Sequence, residues 1–99
     1  MIRTISFLVR GRVHGVGFRY FVLSTAENLG LTGWVRNNPN GDVQGYARGE
    51  VLQLKELESS LWKGPFHARV TDVQIDYSSD QIDSDQKEDS VFNCFQIRR

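Results

Sequence analysis

Apolar and polar residues alternate from position 2 to 13, with Ile5, Phe7 and Val9 on one side, as in a strand with a single buried face. The period then changes. Phe18, Phe21, Val22, Thr25, Ala26 and Leu29 recur at helical spacing, and Gly30 supplies a C-terminal stop. Residues 32–38 and 42–48 predict a second and a third strand, joined through Pro39-Asn40-Gly41, in which Asn-Gly is a strong hairpin signal. A second helix is predicted over 50–63, with Val51, Leu54, Leu57 and Leu61 as its apolar stripe and Gly64-Pro65 as its end. Residues 70–77, including Val73 and Ile75, predict a fourth strand, and 91–97 a short fifth.

This order predicts an α+β fold, a ferredoxin-like β-α-β-β-α-β sandwich. Two helices should cover one face of a mostly antiparallel sheet, with a short extra strand at the C-terminal end. A chain of 99 residues supports one core and no second, so 1–99 reads as one domain. The architecture serves enzymes, metal chaperones and RNA binders alike, and function must be sought in particular residues.

Charge narrows the search. The net charge is zero, yet residues 1–48 carry +4 and residues 49–99 carry −4. The basic half is built wholly from arginine: Arg3, Arg10, Arg12, Arg19, Arg36 and Arg48. Guanidinium forks suit a small oxygen-rich anion. They are thin for a nucleic-acid surface, and Arg3, Arg10 and Arg12 read as strand residues facing water. The acidic residues Asp80, Asp83, Asp85, Glu88 and Asp89 fall in a stretch, 78–90, that lacks the order and glycine of a calcium loop and reads as solvated and mobile. The single Cys94 lies in an apolar run and reads as a small hydrophobe. His67 follows Pro65 in a connection and reads as solvated, and no Cys/His spacing resembles a metal site. No run is apolar enough for a membrane span or ordered like a signal peptide, so a cytoplasmic monomer without cofactor is expected.

The candidate chemistry lies at the first change of period. The helix predicted from Phe18 is preceded by Gly15, Val16 and Gly17, none of which can cap its free N–H groups through a side chain. A bare helix end with Arg19 beside it is a place for an anion, and the glycines let backbone N–H groups approach one closely. The same pattern also suits a tight turn that packs a helix on a sheet. Asn37, near the end of the second strand, offers an amide able to hold a water if it comes within reach. Its other reading is a turn residue leading into Pro39.

Two longer motifs give these residues a context. The run from Val9 to Arg19 resembles the acylphosphatase signature aliphatic-x-Gly-x-Val-Gln-Gly-Val-x-Phe-Arg, with His14 in place of Gln. Gly33, Trp34, Val35, Arg36, Asn37, Gly41, Val43 and Gly49 match the second signature of that family, and Phe95-Gln96-Ile97-Arg98 is similar to its last strand. The resemblance spans nearly the whole chain. It implies a metal-independent enzyme that hydrolyses the carboxyl–phosphate bond of small-molecule acyl phosphates. It further implies that Gly15, Val16, Gly17, Phe18 and Arg19 bind the phosphoryl group and that Arg19 and Asn37 are catalytic, with Asn37 orienting the attacking water. Inorganic phosphate or sulfate should compete for the same site. His14 either adds imidazolium charge beside the cradle or takes over the hydrogen-bonding support of the usual Gln. The alternative to an enzyme is a ferredoxin-like module that binds an anion or carbamoyl phosphate without catalysis. An RNA-binding role is disfavoured because no segment carries the aromatic–basic RRM signature.

Overall fold

The computed structural model describes residues 1–77 and 94–98. The acidic stretch 78–90 and the first residues of the expected fifth strand lie outside the described residues. Seven elements follow one another: β1 (Ile2–Arg12), α1 (Phe18–Asn28), β2 (Thr32–Asn37), β3 (Val43–Glu50), α2 (Val51–Lys63), β4 (Arg69–Tyr77) and β5 (Phe95–Arg98). The five strands form one sheet in the order β4-β1-β3-β2-β5. All pairings are antiparallel except that of β2 with β5. The ferredoxin-like α+β architecture is therefore present, with β5 as the additional edge strand.

Alternation decides which side of the sheet is covered. Ile5, Phe7 and Val9 of β1 are buried, as are Val35 of β2 and Val43 and Ala47 of β3. They meet Val22 and Ala26 from α1 and Leu54, Leu57 and Leu61 from α2 in a single core. Leu54, Leu57 and Leu61 are all fully buried, so the apolar stripe of α2 is the face it turns to the sheet. The opposite side carries Trp34 stacked on Tyr46 with ring centroids 5.3 Å apart. Arg36 and Arg98 lie over the Trp34 ring at 5.5 and 5.0 Å. No helix of the described residues is long and apolar enough to cross a membrane.

Two expectations are corrected. Cys94 is exposed and precedes β5, because inward-facing Phe95 and Ile97 put residue 94 on the other phase of the alternation. The third strand runs on to Glu50, since Ile2 of β1 pairs with that residue and Val51 N–H bonds to Met1 O at 3.3 Å. As a result α2 begins at Val51 with Glu50 as its N-cap.

A bulge disturbs the ladder between β1 and β4. Arg10 pairs with Asp72 but Gly11 pairs with Val70, so Thr71 is the extra residue on β4. Gly11 has φ of 126°, and a methyl group added there would meet Arg69 O and come within 2.8 Å of Thr71 N. Left-handed backbone and backbone crowding both act against a side chain. Gly11→Ala is thus expected to cost about 1–3 kcal/mol from strain alone. For a domain of this size that lowers Tm by roughly 10 °C, measurable by thermal denaturation followed by circular dichroism.

Candidate active site

The cradle loop starts where this bulge releases β1. Val13 is 1% exposed and anchors the end of the strand in the core, while His14 turns outward and is exposed. Gly15 and Gly17 then adopt φ of 76° and 77°. A methyl group at either would find nothing within 4 Å. Backbone conformation, not crowding, selects glycine at both positions, and the space above the loop is open. Val16 lies between them, half-buried against the core.

α1 begins directly on this loop. Gly17 is its N-cap, makes no side-chain cap bond, and is followed by no acidic residue in the first turn. The first intrahelical bond runs from Phe21 N–H to Gly17 O at 3.0 Å. The helix therefore offers no acceptor to the N–H groups of Phe18, Arg19 and Tyr20. The ring of Phe18 is buried at 1% exposure, which holds this turn against the core while its backbone faces the loop. Arg19, the next residue, is half-buried. The ion pairs among the described residues join Met1 to Glu50 and Arg10 to Asp42, and neither occupies Arg19. Unshared N–H groups and the positive end of a helix thus lie on a loop whose next residue is an arginine that no described carboxylate pairs with, a combination that suits a tetrahedral oxyanion.

The sheet brings Asn37 to the same end and the same face. Val43 pairs with Val9 of β1 on one side and with Asn37 of β2 on the other. Asn37 and Val9 hence flank Val43 two strand spacings apart, about 10 Å. Directly paired residues share a face, and both Val43 and Val35 are fully buried. The Asn37 side chain accordingly projects to the helix-covered side, level with Val9 near the end of β1. Its Oδ1 is buried without a hydrogen-bond donor from the protein. An unsatisfied buried carbonyl costs about 1–3 kcal/mol, so it is a group that gains from a water or ligand donor. The turn into Pro39 is secured independently by Asn38 N–H to Asp42 O at 2.8 Å and Gly41 N–H to Asn38 O at 2.9 Å. Asn37 is not needed for that turn.

A groove of about 360 Å³, lined by residues including Ser6, Arg10, Asn38, Asp42 and Gln44, opens on the uncovered side of the sheet. It contains neither the cradle nor Asn37. Of the residues singled out from sequence, 14–19 and Asn37 lie toward the same end of the sheet, the end at which β1 finishes. Arg10 and Arg12 are exposed strand residues, with Arg10 engaged by Asp42 at 3.5 Å, whereas Arg3 departs from the expectation: it is half-buried, with its Nε shielded from solvent and its guanidinium 5.7 Å from the Tyr77 ring. The N–H of Tyr20 joins the expected donors, because a helix that starts at Phe18 leaves it free as well.

Known proteins share the sequence pattern and the fold. The acylphosphatase family model matches residues 5–91. The chain is 49% identical over 71 residues to the acylphosphatase of Moorella thermoacetica, covering 72% of this chain and 76% of that protein. It is 39% identical over 97 residues to that of Salinibacter ruber, covering 98% and 94%. The crystal structure of the acylphosphatase from Bacillus subtilis superposes with a TM-score of 0.85 at 31% identity, covering 100% of both chains.

Proposed function

The chain belongs to the acylphosphatase family, enzymes that hydrolyse acyl phosphates, and we propose how its own residues carry out that reaction. The phosphoryl group sits on the N–H groups of 15–19, and the Arg19 guanidinium binds its equatorial oxygens. Asn37 holds a water through Oδ1 on the open side of the phosphorus. The water oxygen forms the new P–O bond while the bond to the acyl oxygen breaks, and the electron pair leaves on the carboxylate. The water's proton passes to a phosphoryl oxygen, giving inorganic phosphate. The buried, donorless Oδ1 of Asn37 at the cradle end of the sheet is the observation that carries this reading.

A carboxylate is already a good leaving group, so positioning and charge compensation are the tasks left to the protein. Arg19 and the helix end supply the positive charge, and no metal is required by the scheme. The decisive experiment measures initial rates on acetyl phosphate, benzoyl phosphate and p-nitrophenyl phosphate, each with and without EDTA. The acyl phosphates should turn over at least a hundredfold faster than the phosphomonoester, with EDTA making no difference. Similar rates on both classes, or activity lost to EDTA and restored by Mg²⁺ or Zn²⁺, would refute the mechanism.

A further inference from the structure

An acyl phosphate has two halves, and the cradle with Asn37 accounts only for the phosphate. The acyl half must extend past the cradle, at the end of the sheet where β1 stops and α1 starts. Besides the turn between β2 and β3, the connection between α2 and β4 reaches that end. α2 finishes at Lys63, and β4 begins at Arg69, paired with Arg12. The loop between them is held at both ends, by Gly64 N–H to Ser60 O at 2.9 Å and Ala68 N–H to Pro65 O at 3.0 Å. A methyl group on Gly64 would lie 3.0 Å from Phe18 Cε2, so the loop starts beside the residue that opens α1 and precedes Arg19.

On this fixed loop Phe66 is 91% exposed, more than any other large hydrophobic residue among those described. Its ring meets that of His67 edge-on, with centroids 4.7 Å apart at 63°. A single exposed apolar residue is ordinary. An exposed ring that is braced by a second ring, on a pinned loop, at the end of the sheet where the substrate's apolar half must go, is a contact waiting for a ligand. We propose that Phe66, supported by His67, receives the acyl group and makes the enzyme prefer aromatic acyl phosphates to acetyl phosphate. The proposal rests on the hydrolytic reading of the site given above. A benzoyl ring can pack face-on or edge-on against phenylalanine, whereas an acetyl methyl has little surface to bury there.

The test compares kcat and KM for benzoyl phosphate and acetyl phosphate in the wild type, Phe66→Ala and Phe66→Trp. Phe66→Ala should lower kcat/KM for benzoyl phosphate about tenfold, mainly by raising KM, because an acyl contact is shared by ground and transition states. Acetyl phosphate turnover and inhibition by inorganic phosphate should stay within about twofold, and Phe66→Trp should retain the aromatic preference. An unchanged preference in Phe66→Ala, or an equal loss on both substrates, overturns the proposal while leaving the hydrolytic site in place. A wild-type protein inactive on both substrates overturns that site assignment, and this proposal with it.

Discussion

Arg19→Ala is expected to lower kcat/KM for acyl phosphates by about 10³–10⁵, the range seen when an arginine that compensates charge in phosphoryl transfer is removed. Arg19 is the one arginine in the segment from Val13 to Phe21 that links β1 to the first turn of α1, and no described carboxylate pairs with it. Its charge acts on the bound phosphoryl group as well as on the transition state, so KM and kcat should both suffer. Inhibition by inorganic phosphate should weaken in parallel, at least tenfold. Arg19→Lys should restore charge without the planar fork and so recover only part of the rate. The side chain is half-buried and outside the core, and Tm should move by no more than a few degrees. A variant that keeps wild-type affinity for phosphate would place the anion elsewhere than on 15–19.

Asn37→Ala should fail in a different way. Losing a water-orienting amide is expected to reduce kcat by about 10²–10³, comparable with removal of one preorganised donor from a catalytic site. The cradle and Arg19 are untouched, so phosphate should inhibit the variant as well as the wild type. Stability should hold or rise slightly, because the substitution deletes a buried acceptor that no protein group satisfies. Initial rates together with phosphate inhibition constants separate the two variants: one loses binding and turnover, the other turnover alone. A folded Asn37→Ala enzyme with near-normal kcat would transfer the water to another group, and Asn38 is the neighbour to test next.

The cradle is legible in the amino-acid sequence because its signal is local: a strand period ending in glycines, a helix period starting without a capping side chain, and an arginine at the second helical position. The hairpin and the stripe of α2 are legible for the same reason. Features that depend on partners are not. The hairpin itself sets Asn37 opposite Val43, but nothing near them in the chain tells that Val43 also pairs with Val9 and so brings Asn37 to the end of β1. The extra Thr71 opposite Gly11 exists only in the pairing of β1 with β4, and the extension of β3 to Glu50 only in its pairing with the first residues of the chain. Cys94 misleads because a run of apolar neighbours hides the phase of alternation, which a single pairing, Gly33 with Phe95, decides. Phe66 gives no signal beside Pro65, since the nearness of its loop to α1 is a matter of topology.

β1 lies between β3 and β4, and its partners come from far along the chain, Glu50 opposite Ile2 and Tyr77 opposite Ile5. The chain must therefore close large loops before its central ladder gains any hydrogen bonds, which makes for slow folding. The cradle hangs on the end of that ladder and cannot take shape ahead of it. Return of catalytic activity after dilution from denaturant should accordingly keep pace with the slowest spectroscopic phase and show no early burst. Phosphate bound to the finished loop alone, as the proposed mechanism requires, should lengthen the lifetime of the native protein far more than it hastens its formation.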